Sequence, residues 1–251
     1  MNETIDTILS HRSIRKFKDE KLTKEQIHTI VRSAQQASTS SFVMAYTIIG
    51  ITDDSKKQAL MEISGQPYVK DNGHLFVFCG DLHRAHQLRN KADKEQQELI
   101  TETIESTEQF IVTVIDGALA AQNAVLAAES MGLGACFLGS LRNDINKVSD
   151  LLQLPNHVVP LFGVAVGYPD HQPELKPRLP IETVYHENSY MEDEEQEELI
   201  NEFDLTLKKY YDSRSTNTRI DTWTEQMIRK YSNPQRMDVS AFVKSKGLNK
   251  R

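Results

Sequence analysis

The sequence VVPLFGVAVG at residues 158–167 is the apolar run that decides the fold class. An uncharged run of this length, rich in β-branched residues, is typical of a buried strand. Similar runs occur at residues 46–51, 74–79 and 134–139. Because helical patterns separate these runs, the sequence predicts a sheet layered by helices.

The longest apolar stretch extends from Phe110 to Ala128. It predicts a helix over about residues 107–131, with Gly132 placed to end it. Asp116 interrupts the stretch, and a membrane span would tolerate this carboxylate poorly. We therefore expect a helix buried in a core or in a subunit interface, and no membrane association.

The other helices are predicted from local signals. Thr23 and Gln26 form a capping box, and Asn143 is a candidate N-cap. Further helices are expected at residues 5–9 and 55–63, and over the charged segment 84–105, which we expect on a solvated surface.

The character of the chain changes after residue 167. Residues 168–190 contain four prolines, and an acidic run at 192–198 opens a helix that continues to about Tyr211. A polar linker over 213–217 precedes two amphipathic helices. The sequence predicts a core over 1–167 and, within the same domain, a loop and helical extension over 168–251 that wraps the main body or a partner subunit.

Composition excludes several classes of protein. A net charge of −7 argues against broad nucleic-acid binding. Cys79 and Cys136 lie in separate apolar runs, so we expect buried thiols and not a redox pair. The first six residues have neither a basic leader nor an apolar core, which predicts a cytoplasmic protein.

Familiar catalytic motifs are missing from the sequence. Gly132 and Gly134 lack the third glycine of a dinucleotide fingerprint and lead into a strand. There is no Walker A, HExxH or GxSxG sequence. His83 and His86 follow Asp81 closely, but no further matched ligands accompany them, so we expect no metal site.

Three separate segments could bind an anion. Residues 11–15 combine two guanidiniums, an imidazole and a hydroxyl, and arginine's planar fork suits a phosphate. Ser38–Ser41 add hydroxyls between a predicted helix and strand. Lys176 and Arg178 add two cations on a proline-stiffened loop. Together they favour a ligand that carries a phosphate.

These segments also carry a resemblance to a known family. The chain resembles the nitroreductase superfamily, and within it the NADPH-dependent flavin reductases and oxygen-insensitive nitroreductases. The matching segments keep their order along nearly the whole chain: 11–17 (HRSIRKF), 38–42 (STSSF), 127–134 (AAESMGLG), 138–143 (LGSLRN), 161–167 (LFGVAVG), 176–180 (KPRLP), 186–188 (HEN) and 219–223 (RIDTW).

The resemblance implies an α+β fold with a central mixed, mainly antiparallel sheet flanked by helices, and an FMN site at the interface of a homodimer. It assigns the FMN phosphate and ribityl chain to His11, Arg12, Ser13, Arg15, Lys176 and Arg178, and hydroxyl contacts to Ser38, Thr39 and Ser40. Thr39 stands where the family usually has serine. Gln66 and Tyr68 are expected to reach the flavin from the partner subunit. The isoalloxazine ring would lie along Phe137, Leu138, Gly139 and Ser140.

The resemblance further implies a ping-pong reaction in which NADPH reduces the bound FMN and a flavin, nitroaromatic or quinone reoxidises it. The protein then supplies orientation and electrostatics, which explains why no acid–base pair stands out. Arg214 and Arg219 match positions that hold the 2′-phosphate of NADPH. Two alternatives remain open: a specialised flavoenzyme of the same superfamily, and a non-catalytic protein that stores flavin or senses redox state.

Overall fold

A computed structural model describes residues 2–214 and 219–251. The chain divides into two compact units, one formed by Met1–Gln172 and Arg236–Arg251, the other by Pro173–Gln235. The first unit contains the sheet and all four apolar runs. The second unit is helical.

The sheet of the first unit has four antiparallel strands in the order β1-β2-β4-β3. The central strands, β2 and β4, are almost entirely buried. The strands are β1 (Tyr46–Ile51), β2 (His74–Asp81), β3 (Gly134–Leu138) and β4 (Val158–Gly167). A single parallel bridge, from Ser13 to Ala135, adds the basic segment beside β3. The predicted mixed, mainly antiparallel sheet is confirmed.

Helices cover the sheet on both faces and complete the unit. They are α1 (Glu3–Leu9), α2 (Lys24–Gln35), α3 (Asp54–Ser64), α4 (His83–Gln87), α5 (Lys94–Ile104), α6 (Thr107–Ser130), α7 (Ile145–Leu151) and, near the C-terminus, α10 (Val239–Ser245). Two helices, α2 and α6, pack with one face of the sheet around Phe76 and Phe78. The opposite face buries Leu75 and Val77 in a second cluster that includes Leu60 of α3 and Val148 of α7.

Local signals in the sequence fix most of these helix ends. The capping box of Thr23 and Gln26 opens α2 as predicted. Gly132 follows α6 with a φ of +76°, a left-handed conformation that glycine adopts without strain. The prediction of Asn143 as an N-cap was wrong. Asp144 caps α7 instead, because a 3₁₀ helix over Gly139–Asp144 extends through Asn143.

Helix α6 has the length and hydropathy of a membrane span, alone among the helices of the described ranges. Nine of its residues are buried, including Asp116, which is fully enclosed. Packing against the sheet therefore accounts for much of its apolar character.

The C-terminal residues return to the first unit through backbone hydrogen bonds. The His157 N–H donates to the Lys246 carbonyl at 2.8 Å, and the Thr107 N–H donates to the Arg251 carbonyl at 2.8 Å. The Lys250 ammonium also pairs with Glu105 at 2.6 Å. These bonds hold the segment that carries α10 beside α6.

The second unit has a small core of its own. Helix α8 (Asp193–Asp212) packs on α9 (Trp223–Tyr231), and Phe203, Leu207 and Tyr211 form the buried cluster between them. Acidic residues fill the first turn of α8, where the helix dipole favours them.

Two buried histidines, His74 and His157, should make the stability of the fold depend on pH. Burial lowers the pKa of both His74 and His157 to about 4, from an ordinary value near 6.5. Protons therefore bind the unfolded chain more readily than the folded one. The free energy of unfolding should have its full value above pH 6.5. It should fall as the pH drops towards 4, by on the order of 2 kcal/mol for each histidine.

Urea unfolding between pH 7 and pH 4 measures this effect. His157→Asn should flatten the pH dependence, since asparagine tolerates the left-handed backbone at this position (φ +64°) and does not titrate. The exposed His28 provides the matched control, and His28→Asn should leave the slope unchanged. Equal slopes for wild type and His157→Asn would refute the assignment.

Candidate functional site

The basic segment 11–15 lies directly beside β3. The Ile14 N–H donates to the Ala135 carbonyl at 2.9 Å, next to the Ser13–Ala135 bridge. Gly134 allows this approach, because a Cβ there would lie 2.5 Å from Cγ1 of Ile14. The backbone of the segment is therefore fixed by the strand, and its polar side chains are held at the edge of the sheet.

Arg12 borders a cavity of about 900 Å³ between the C-terminal end of α6 and the start of β3. Nδ1 of His11 lies 2.6 Å from a carboxylate oxygen of Glu129. Arg12 lines the cavity together with Ile14 and Glu129. Nε of Arg12 is buried and has no hydrogen-bond partner within the described chain. It is therefore a donor that lacks an acceptor.

Arg15 belongs to a different group of side chains. Burial raises the pKa of the Tyr68 hydroxyl and of the Cys136 thiol, and Arg15 acts against both shifts. Neither Arg15 nor Ser13 lines the cavity that contains Arg12. The structure thus places the two arginines of the segment in different surroundings.

Gln66 and Tyr68 join the residues around Arg15 within the same chain. The Ser140 hydroxyl donates to Oε1 of Gln66 at 3.0 Å. Helix α3, which precedes Gln66, packs on the 3₁₀ helix that begins at Gly139, so both residues meet at the end of β3. Gln66 and Tyr68 therefore lie beside Ser140 and Arg15 of their own chain. That they reach the flavin from the partner subunit stays a prediction.

The C-terminal end of β3 is partly exposed, and two arginines, Arg142 and Arg236, lie beside it. Phe137 is 40% exposed and makes an edge contact with Phe162, whereas Leu138 is buried. A Cβ at Gly139 would lie 3.4 Å from the Arg142 guanidinium and 3.7 Å from that of Arg236.

No carboxylate pairs with Arg142 or Arg236 in the described ranges. Arg142 donates to the Leu161 carbonyl, and Arg236 donates to Oδ1 of Asn143 at 2.9 Å. Burial lowers the pKa of Arg142, and the charge of Arg236 lowers it further. Neither arginine could be assigned a role from the sequence, because they lie almost a hundred residues apart and share no motif.

The hydroxyl segment Ser38–Ser41 is exposed except for the half-buried Thr39. None of its four hydroxyls makes a hydrogen bond to the described residues. The Ser40 N–H donates to Asp116 of α6, whereas His11 pairs with Glu129 of the same helix. Thirteen residues separate the two carboxylates, which corresponds to roughly 20 Å along the helix axis.

The predicted cations of the second unit gather around two tyrosines. The Arg219 guanidinium lies 4.2 Å from the Tyr211 ring centroid, and Lys176 Nζ lies 5.7 Å from it. Burial of Tyr211 opposes its ionisation, but Lys176 and Arg219 outweigh that effect and lower its pKa.

The neighbouring cations are held by other contacts. Arg214 lies 5.7 Å from the Tyr210 ring centroid and 3.7 Å from Glu174, and Arg219 also pairs with Asp221 at 3.2 Å. Arg178 donates to the Lys176 carbonyl at 2.7 Å. Residues 215–217 of the predicted linker lie outside the described ranges.

The fold and these segments define an α+β protein of the nitroreductase type. Residues 8–168 match the nitroreductase family, and residues 176–251 match the C-terminal domain of that family. The chain belongs to the nitroreductase family.

Several relatives are similar over nearly their whole length. An FMN reductase (NADPH) of Bacillus subtilis is 50% identical, with all of both chains aligned. An NADPH-dependent oxidoreductase of Staphylococcus aureus is 43% identical over 97% of each chain. Among solved structures, NfrA1 nitroreductase from B. subtilis is 50% identical, with 99% and 100% coverage and a TM-score of 0.94. The NADPH:FMN oxidoreductase of Vibrio harveyi, complexed with NAD+, is 37% identical, with full coverage of both chains and a TM-score of 0.88.

The close approach at Gly134 can be tested by substitution. Gly134→Ala should destabilise the protein by about 1–3 kcal/mol, because the new methyl group overlaps Ile14. Urea unfolding measures the loss.

The double variant Gly134→Ala/Ile14→Ala serves as the control. It should be more stable than the sum of the two single effects predicts, since Ile14→Ala removes Cγ1, the atom nearest the new methyl group, and leaves only the Cβ contact at 2.8 Å. Strict additivity would contradict the proposed contact between strand and segment.

Proposed function

We propose that this protein is a soluble, cytoplasmic NADPH-dependent oxidoreductase that uses bound FMN to reduce flavins, nitroaromatics or quinones. The observation that carries the proposal is the group formed by Arg15, Tyr68, Gln66 and Ser140 at the end of β3. The names of the full-length relatives support both FMN and NADPH. The two buried, unpaired cysteines are consistent with a reducing compartment.

The residues present fit an FMN molecule. Its phosphate needs donors, and the segment supplies the Arg15 guanidinium and the Ser13 hydroxyl. Arg12 remains a predicted phosphate contact: its Nε lacks an acceptor in the described chain, but the residue lines a cavity that Arg15 and Ser13 do not line. Its ring needs a flat, partly apolar surface, which the exposed Phe137 and the glycine at 139 provide. His11, Lys176 and Arg178 remain predicted phosphate contacts. Leu138 would support the ring from the buried side of the strand.

A homodimer would complete each site. On α6, Ile111, Val114, Ile115 and Leu119 are exposed at helical spacing, and a monomer would leave this apolar face in water. The roughly 20 Å between the anchors of His11 and Ser40 is too long for both segments of one chain to hold one phosphate. If the α6 faces pack about a two-fold axis, Ser38, Thr39 and Ser40 of one chain reach the FMN held by Arg15 of the other.

Bound FMN would supply the hydride chemistry, and the chain's own residues would bind and orient the reactants. Arg142 and Arg236 place two positive charges beside Gly139, where the ring is expected to end. Such charges attract anionic acceptors and the phosphates of a nucleotide. Arg214 and Arg219 are proposed to hold the 2′-phosphate of NADPH. To do so they must exchange their contacts with Glu174 and Asp221 for the phosphate.

Anaerobic reduction tests the proposed activity. The purified protein should be yellow, and NADPH should bleach the flavin much faster than NADH does. Replacing both Arg214 and Arg219 with alanine should raise the KM for NADPH about tenfold or more, with little change for NADH. A flavin that neither nucleotide bleaches would reject the oxidoreductase. Equal changes for both nucleotides would reject the 2′-phosphate site.

The phosphate site is tested by FMN affinity. Arg15→Ala should weaken FMN binding roughly tenfold to a hundredfold, since a charged hydrogen bond to a phosphate contributes about 1.5–3 kcal/mol. Fluorescence titration of the apoprotein with FMN measures the change. Arg32→Ala, at an exposed arginine of α2, is the matched control and should bind as wild type does. Equal affinities for Arg15→Ala and wild type would remove Arg15 from the site.

A further inference from the structure

The loop that presents the hydroxyl segment is strained. Ser41, Phe42 and Met44 have φ values of 48°, 59° and 53°, in the left-handed region that residues other than glycine rarely adopt. Such a conformation persists only where its surroundings impose it. The side chains of this loop do not supply that force, because Phe42 is 81% exposed and Met44 is 43% exposed.

The buried carboxylate of Asp116 holds both ends of the loop. Oδ1 accepts the Ser40 N–H at 3.0 Å, and Oδ2 accepts the Ala45 N–H at 2.9 Å. Asp116 is fully enclosed and has no ion-pair partner in the described ranges. Its two oxygens therefore close the loop from within the first unit.

Arg84 holds the same loop by hydrogen bonds to backbone carbonyls of the loop and of the strand that follows it. Its guanidinium donates to the Met44 carbonyl at 3.0 Å and to the Tyr46 carbonyl at 2.7 Å. Asp81 orients Arg84 in turn through an ion pair of 2.8 Å. The Asp116 carboxylate and the Arg84 guanidinium together restrict the backbone of residues 40–45. The hydroxyls of Ser40 and Ser41 stay exposed and make no hydrogen bond to the described residues.

We propose that Asp116 is a positioning residue of the FMN site, which holds residues 40–45 so that the hydroxyls of Ser38–Ser41 and the Phe42 ring face the flavin of the partner subunit. The inference rests on the proposed function, because it assumes that the hydroxyl segment meets FMN. The functional benefit is preorganisation: the loop is ordered before the flavin binds, so binding does not pay the ordering entropy.

Asp116→Asn is the variant that tests this role. The amide keeps one oxygen and turns an NH2 group towards a backbone N–H, so one of the two loop hydrogen bonds is lost. In the apoprotein, amide hydrogen exchange at Ser40 or Ala45 should accelerate at least tenfold. FMN titration of the same apoprotein should show about tenfold weaker binding. Val112→Ala is the control, since Val112 is buried one turn earlier on α6 and makes no loop hydrogen bond.

The outcomes separate this inference from the proposed function. Faster exchange with weaker FMN binding in Asp116→Asn, and neither change in Val112→Ala, supports the positioning role. Unchanged exchange, or faster exchange with wild-type FMN affinity, overturns it. Equal weakening in Val112→Ala also overturns it, because the effect would then follow from general destabilisation. If wild-type apoprotein does not bind FMN at all, the proposed function itself fails.

Discussion

Burial of helix α6 is the constraint on which the rest of the structure depends. One side of the helix packs against the sheet, and Asp116 on this helix is fully buried. A buried carboxylate needs hydrogen-bond donors, and the backbone of the 40–45 loop supplies them. Near its other end, Glu129 pairs with His11. One helix thus anchors two of the segments that are proposed to bind FMN.

The exposed side of α6 links the fold to the proposed assembly. Its apolar residues would be costly in water, and covering them with a second copy would place two distant segments at one ligand. In this account the site residues do not form a site within one chain. Arg15, Tyr68, Gln66 and Ser140 provide one half, and the loop that Asp116 holds provides the other.

Much of the fold could be predicted from the sequence, because the signals are local. The four apolar runs became the four strands, and the capping box at Thr23 and the glycine at 132 mark helix ends where predicted. Asn143 failed as an N-cap because Asp144, the next residue, offers the same kind of side chain. The return of Arg236–Arg251 to the first unit has no local signal, since it depends on hydrogen bonds to residues such as Thr107 and His157.

The site was predictable by residue type but not by arrangement. The resemblance indicated candidate segments, which stay predictions, yet only the structure shows that Gln66 meets Ser140 of its own chain. The hydrogen bonds of Asp116 and Arg236 span 71 or more residues, and Arg142 meets Arg236 only through the fold, so no local pattern reveals their contributions.

Subunit complementation tests the central claim, that each FMN site takes Arg15 from one chain and the hydroxyl loop from the other. Arg15→Ala and Ser40→Glu chains with different affinity tags would be co-expressed and the mixed dimers isolated through both tags. In such a dimer one site carries both changes and the other carries neither. The account predicts about one FMN bound per mixed dimer with wild-type affinity. Two equally weak sites, or failure to form mixed dimers, would contradict it.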